Sequence, residues 1–442
     1  MTKICVLGLG YIGLPTALLL AKSGFEVIGV DVNERVVKTL NQGQLHISDP
    51  GLPELFEEAR RNFAAQTVVP EADIYLIAVP TPLKAHIRVS DLGYVRSAAE
   101  MIYPHLRKGN LVILESTVPP CASEKLVIPI LEKSGLKAGE FQYVHCPERA
   151  IPGKTLYEMV HNDRIIGGIN DESAASARTV YSSYVQGRIY LTDVTTAEFV
   201  KLIENTYRDI NIAIANEFAQ VAEDYGVNVW EAIDLANKHP RVNILQPGPG
   251  VGGHCIAVDP WFLTESSTKT GLIQLSREIN DSMPNYVIHL VREMLGDIRE
   301  PTLTVFGVSY KNDISDTRET PALKFIQLAE NEGYRVKCYD PHVSTFEYPV
   351  FNLDEAVRDS DCIVLITGHD LFKRIDPATL SMRHRNLIDT RNHLDKAMWS
   401  DAGFVIKTLG DGLVRREISR SSAAAKPEQS LLPDSKATTK GV

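Results

Sequence analysis

The chain predicts an α/β protein in which two doubly wound parallel sheets are joined by a long central helix. Three observations predict it. The first thirty-one residues read as strand, glycine turn, helix and strand; the residues after 302 repeat that order; and between them runs one long helical pattern. At 442 residues the chain exceeds what a single core supports, so two or three domains are expected. Its 44% apolar and 23% charged content is that of a soluble protein, and a net charge of −10 argues against a nucleic-acid or anionic-membrane partner. Any anionic ligand must meet a local cluster of Arg and Lys.

The first unit is a complete βαβ fingerprint. A β-rich run from Lys3 leads into Gly8-Leu9-Gly10-Tyr11-Ile12-Gly13, a helical pattern runs to Ser23, Gly24 breaks it, and a second strand spans Phe25 to Asp31. Glycines at this spacing allow a tight turn and bring a dinucleotide's pyrophosphate onto the helix N-terminus, while the acid ending the second strand holds the ribose hydroxyls. Gly8, Gly10, Tyr11, Ile12, Gly13 and Asp31 are therefore cofactor-binding candidates in a Rossmann-like domain. Asp31 would repel a 2′-phosphate, which favours NAD over NADP; Arg35, an arginine that could receive such a phosphate, is read as lying beside the adenosine. Ile4 to Ala21 carries no charge over 18 residues, but three glycines and Pro15 break it, and no membrane span is expected.

Further apolar runs begin at Asp73, Leu111 and Tyr143, each reading as a buried parallel strand that ends in polar or proline-rich residues. Ligands of open α/β sheets lie beyond the carboxyl ends of the strands, so Thr81, Thr117 and Glu148 should line one crevice with the glycine turn. For either threonine taken singly, a strand-ending turn residue explains the sequence equally well.

After Asp193, Thr195-Thr196-Ala197-Glu198 reads as a capping box opening a helix to about Tyr225. On it Lys201, Asn205 and Arg208 form one polar stripe, either a solvated face or a cleft wall. Beyond it, Gln246 to Pro260 contains Gly248, Gly250, Gly252 and Gly253 and then His254-Cys255. Glycines clear side chains and allow close approach, so this loop suggests an accessible Cys255 thiol with room for a substrate. A glycine-rich loop around a buried cysteine is the alternative. The six cysteines are widely separated, without CxxC or zinc-type spacing, which points to free thiols in a reducing cytoplasm and no metal site.

The second unit has strands at Leu303–Ser309 and Gly333–Asp340 around a helix from about Pro321 to Glu332. It lacks the glycine fingerprint and carries Tyr310-Lys311 through Arg318 instead, so side-chain cations replace glycine backbone as phosphate grips. After about Arg416 the apolar content falls too low to fold, and a disordered tail is expected.

These features resemble the UDP-glucose/GDP-mannose dehydrogenase family over about residues 1–415. The likeness lies in Val79-Pro80-Thr81-Pro82, Ser116-Thr117-Val118-Pro119, Pro147-Glu148, Lys201 with Asn205, Gly252-Gly253-His254-Cys255 with Asp259, and Lys311 through Asp316-Thr317-Arg318. The resemblance implies an NAD-binding domain over 1–194, a central helical and dimerisation domain over 195–299, and a UDP-sugar-binding domain over 300–415, the tail being 416–442. It also implies NAD-dependent oxidation of a nucleotide sugar at C6, from alcohol to carboxylate, through a covalent Cys255 adduct. Lys201 and Asn205 would stabilise oxyanions, Glu148 and Asp259 would handle the hydrolytic water, and Thr117 would place it. Substrate contacts carry over to Arg149, Ala150, Lys201, Asn205, Arg208, His239, Arg241, Gly252, Tyr310 and Lys311, with Arg318 and Arg391 reaching NAD. Arg241 would reach a partner's site, implying at least a homodimer. His254 before Cys255 favours an N-acetylhexosamine, and Ala257, Val258 and Trp261 favour its mannosamine epimer. The same oxidation of another nucleotide sugar, a two-electron hydroxyacid dehydrogenase and an NAD-binding scaffold are the competing readings.

Overall fold

The computed structural model describes residues 1–84, 87–151, 153–265 and 267–412, so the expected tail at 416–442 lies outside the described residues. Strands β1 (Lys3–Leu7), β2 (Glu26–Val30), β3 (Phe63–Gln66), β4 (Ile74–Ile77), β5 (Leu111–Leu114), β6 (Gln142–His145), β7 (Arg164–Gly168) and β8 (Ile189–Asp193) form one sheet. Their order is β3-β2-β1-β4-β5-β6-β7-β8. Central β1 pairs in parallel with β2 through Ile4 and Val27 and with β4 through Ile4 and Ile74. Every residue of β4 and β5 is buried, because helices cover both faces of a parallel sheet and leave no polar side to the strand.

Three strands of this sheet were not legible in the sequence. β3 and β8 lie at the sheet edges and mix buried with open positions, which blurs their apolar pattern. β7 runs antiparallel to β6 and parallel to β8, so the sheet reverses direction beside the end of β6.

Backbone geometry explains the first glycine turn. Gly8 has φ +89°, and a Cβ there would stand 2.6 Å from the Ala78 carbonyl oxygen. A Cβ on Gly13 would fall 1.9 Å from the Gly8 oxygen, so the helix Gly13–Lys22 can start against the turn only with glycine there.

The second sheet, β10-β9-β11-β12-β13, is wholly parallel and comprises β9 (Thr302–Phe306), β10 (Arg335–Tyr339), β11 (Cys362–Leu365), β12 (Asn386–Asp389) and β13 (Val405–Thr408). Helix Pro321–Asn331 connects β9 to β10, as expected from the repeat.

Between the sheets the helix Val194–Tyr225 runs for 32 residues and ends at Gly226 with φ +64°. Its start corrects the capping-box reading. Asp193 is the cap, accepting the Thr196 N–H, while Glu198 faces the interior, fully buried. A second long helix, Gly271–Leu295, packs along it through a buried polar seam. There Arg277 pairs with Asp209 at 2.5 Å, Asn280 donates to Asp209, and Asn216 bridges Asn280 and the Gly248 N–H. Another face of the first helix exposes Phe199, Ile203, Tyr207, Ile214, Phe218 and Val221 at intervals of three, four or seven residues. Among the described residues no helix is long and apolar enough to cross a membrane.

Candidate active site

The carboxyl ends of β1, β2, β4, β5 and β6 share one side of the large sheet, which gathers the first set of expected residues. Asp31 braces the glycine turn, its two carboxylate oxygens accepting from the Leu9 N–H at 3.0 Å and the Asn33 N–H at 2.9 Å. Beside Gly10 a Cβ would meet nothing within 4 Å, so Gly8 to Gly13, with Tyr11 and Ile12 between, leave an open cradle at a helix N-terminus. These residues fit a dinucleotide pyrophosphate, and Asp31 fits its ribose. Arg35 is exposed on the next helix, Glu34–Asn41. Thr81 is buried past β4 and Thr117 half-buried past β5; Ser116 ties the two strand ends by donating to the Val79 carbonyl at 2.7 Å.

The cysteine loop meets the long helix. Cys255 is exposed, and its carbonyl accepts the Asp259 N–H at 2.8 Å, so the two side chains leave a single turn that opens helix Asp259–Thr264. The Asp259 carboxylate accepts from the Asn205 amide at 2.5 Å; Asn205 and Lys201, one turn apart, are both 7% exposed. Burial pushes the Asp259 carboxyl up to about 6 against the pull of the Lys201 ammonium and the Asn205 amide. The walls of the cleft and the Asp259 carboxylate raise the Cys255 thiol, opposed by Lys201 and Arg318. Burial and Arg318 lower the His254 imidazole, which favours its neutral form.

The glycines of this loop serve a different purpose from the one the sequence suggested. A Cβ at Gly252 would stand 2.5 Å from the Glu319 oxygen, one at Gly253 would stand 2.7 Å from the Tyr310 ring, and one at Gly248 would stand 2.5 Å from the Arg391 guanidinium. The space they open is filled by the second unit, so they seat the loop against it and leave the sulfur at the rim.

Arg318 links three parts of the chain. Its carbonyl accepts the Gly253 N–H at 3.1 Å, its guanidinium lies 5.5 Å above the Tyr11 ring, and Asp316 holds it at 2.6 Å. Arg391 instead lies against Gly248 and donates to the Ile366 carbonyl at 3.0 Å; burial lowers its guanidinium to about 10, opposed by Asp389. Its contacts are with the base of the cysteine loop. Lys311 feels Lys154 and Arg208 as well as Glu158 and Asp49, and burial lowers its ammonium. Lys154 was missed in the sequence because nothing in its own segment distinguishes it from a surface lysine. His239 and Arg241 lie exposed in the turn after helix Val229–Ala236.

Glu148 is 8% exposed and held by three donors: one oxygen accepts the Arg149 and Ala150 N–H groups at 2.7 and 2.9 Å, the other the Arg164 guanidinium at 2.8 Å. Burial works to raise its carboxyl, but Arg164 and the backbone donors prevail and hold it below the usual range. Arg149 is chelated by Glu204 at 2.6 and 3.0 Å and donates to the Asp163 carbonyl.

Sequence reasoning also missed Glu198, which accepts the Cys121 and Ser123 N–H groups at 2.6 and 2.8 Å and so fastens the chain after Thr117 to the helix carrying Lys201. The signal was an acid among apolar neighbours, taken for a capping partner. In the second unit Asp340 stands where Asp31 stands in the first, but it accepts from Val308, His342 and Val343 N–H groups and from His369. The Asp313 N–H donates to Nδ1 of His369, so the other nitrogen carries the proton toward Asp340. Asp313, His342 and His369 place ligand atoms within 4.8 Å of one another, yet both His369 nitrogens already have partners, the Asp313 N–H and the Asp340 carboxylate.

Three family models cover the chain: the NAD binding, central and UDP binding domains of the UDP-glucose/GDP-mannose dehydrogenase family match residues 2–185, 195–282 and 304–396. A UDP-N-acetyl-D-mannosamine dehydrogenase of Methanococcus maripaludis is 49% identical over 93% of this chain and 97% of its own length. An NDP-N-acetyl-D-galactosaminuronic acid dehydrogenase of Ralstonia nicotianae is 43% identical over 90% and 96%. The solved structure of a UDP-D-ManNAc dehydrogenase from Pyrococcus horikoshii is 42% identical and superposes with a TM-score of 0.88, covering 93% of this chain and all of that one. With its glycine turn, its NAD-binding domain and its cysteine loop in these relations, the chain belongs to the UDP-glucose/GDP-mannose dehydrogenase family.

Proposed function

We propose that this chain oxidises C6 of UDP-N-acetyl-D-mannosamine from alcohol to carboxylate with NAD, through a covalent intermediate on Cys255. One observation carries the reading: an exposed thiol shares a turn with Asp259, which is bonded to Asn205, at the place where Arg318 joins the cysteine loop to Tyr11 of the glycine turn. A two-electron dehydrogenase has no use for that thiol. The choice of sugar follows the names of the Methanococcus and Pyrococcus relatives. The cations Lys154, Arg208 and Lys311 suit the diphosphate. We take residues 1–194, 195–299 and 300–415 as the cofactor, central and sugar-nucleotide domains, working in a reducing cytoplasm.

NAD, held by Gly8 to Gly13 and Asp31, supplies the hydride acceptor for both oxidations. Cys255 adds to the C6 aldehyde: the S–C bond forms and the thiol proton goes to the carbonyl oxygen. Oxidation of that thiohemiacetal gives a thioester, and water then breaks the C–S bond, freeing the thiol and the carboxylate. Per sugar, one water is consumed, two hydrides leave and three protons are released. Lys201 and Asn205 stabilise the oxyanions, while Asp259 and Glu148 act on the water that Thr117 places. The test is a panel of UDP-sugars. Two NADH per sugar are expected, with kcat/KM for the mannosamine epimer at least about tenfold above UDP-N-acetylglucosamine, UDP-N-acetylgalactosamine and UDP-glucose. One NADH per sugar overturns the covalent mechanism, and preference for another sugar overturns the substrate.

The apolar stripe on the long helix supports a homodimer in which Arg241 reaches the partner's site. Phe218→Glu with Ile214→Glu should convert a dimer into a monomer in sedimentation and raise KM for the sugar by about tenfold or more. An unchanged mass would place the interface elsewhere.

A further inference from the structure

Beneath Glu148 lies a buried charge cluster that the proposed chemistry does not use. Arg164, the first residue of β7, donates from Nη2 to Glu148 at 2.8 Å, and its Nη1 stands 3.8 Å from the Glu115 carboxylate and 3.9 Å from the Cys146 sulfur. Its guanidinium lies 4.6 Å from the Tyr181 ring centre. Glu115, just past β5, accepts from the Tyr181 hydroxyl at 2.6 Å and from the Thr16 hydroxyl at 3.1 Å. Thr16 belongs to the helix that follows the glycine turn.

Side-chain exposure is 4% for Arg164, 0% for Glu115 and 6% for Glu148. Two carboxylates and one guanidinium in so dry a place are costly, and apolar residues of equal volume would stabilise the fold as well. A cluster of this kind gains its advantage where the direction and charge of one member matter. The two acids are also unequal. Burial pushes Glu115 up to about 7 although Arg164, Tyr181 and Thr16 oppose it, whereas Glu148 is held low. Of the other titratable neighbours, Cys146, Tyr181 and Tyr184 are all raised by burial and so neutral, while Glu158, Asp163 and Arg149 line the pocket that Glu148 and Arg164 share.

We propose that Arg164 is a positioning residue that keeps Glu148 ionised and turned onto the Arg149–Ala150 backbone, with Glu115 anchoring the arrangement to the helix after the glycine turn. Without Arg164, Glu148 faces Glu115 across a dry gap, takes up a proton and loses its direction. The catalytic consequence rests on the role proposed above for Glu148, but the ionisation of Glu148 does not.

The test titrates Glu148 by infrared carboxyl difference spectra against Glu148→Gln in each background, alongside kcat and KM. In Arg164→Met the Glu148 titration should rise by at least about one pH unit and kcat should fall about a hundredfold, with KM for NAD within about threefold. Arg164→Lys should restore part of both, and Glu115→Gln, which removes a repelling acid, should leave Glu148 ionised at least as far down in pH as in the wild type. A Glu148 titration unmoved in Arg164→Met overturns the proposal. If that variant fails to fold, Arg164→Gln, which keeps a polar side chain but removes the charge, decides it: an unmoved Glu148 titration there is equally fatal. A wild type that releases no uronate from any nucleotide sugar would sink the proposed reaction and leave the spectroscopic result standing.

Discussion

Cys255→Ser should bind NAD with an affinity within about twofold of the wild type while net uronate formation falls by at least about a thousandfold. Cys255 lies on the turn that opens helix Asp259–Thr264, and its backbone carbonyl makes the hydrogen bond that shapes this turn, so a hydroxyl in place of the thiol leaves the glycine turn and Arg318 contact intact. What is lost is the nucleophile. A serine hydroxyl lacks the thiol's acidity, and even the thiol is raised by its cleft and by Asp259, so its activation depends on Lys201 and Arg318. Fluorescence titration with NAD measures the first quantity and chromatography of the nucleotide-sugar products the second. Full uronate formation by the serine variant would refute the covalent route.

Lys201→Met should lower kcat by about a hundredfold to a thousandfold, the loss expected for one oxyanion-stabilising donor in a dry site. It should also move the pH profile in a stated direction. Asp259 sits at about 6 with Lys201 favouring its ionised form; without the ammonium the carboxyl keeps its proton to higher pH. If ionised Asp259 is needed, the acid limb of kcat must shift upward from about 6 in Lys201→Met and vanish in Asp259→Asn. A downward shift, or a limb that survives in Asp259→Asn, would remove Asp259 from the role proposed for it.

Local patterns make the central strands of both sheets legible in the sequence. Apolar runs such as Ile74–Ile77 and Leu111–Leu114, closed by glycines or prolines, mark central parallel strands because those strands are buried on both faces. Edge strands lack that signal, which is why β3, β8 and β13 escaped. The long helix was found with its end correctly at Tyr225, while its cap was misplaced, since Asp193 and Thr195 are equally good capping residues and only the backbone decides between them.

By itself the sequence determined which chemistry is available: a glycine turn with an acid at the correct separation, a lysine and an asparagine one helical turn apart, and a cysteine after clustered glycines. These are short-range relations, readable because turn and helix geometry fix them. Tertiary structure alone decided what the long-range partners are. It placed Arg318 over Tyr11, gave the loop glycines to Tyr310, Glu319 and Arg391, and buried Arg164 between Glu115 and Glu148. Residues 49 positions apart, such as Glu115 and Arg164, meet only because β5, β6 and β7 are neighbours in one sheet, and no local pattern carries that information.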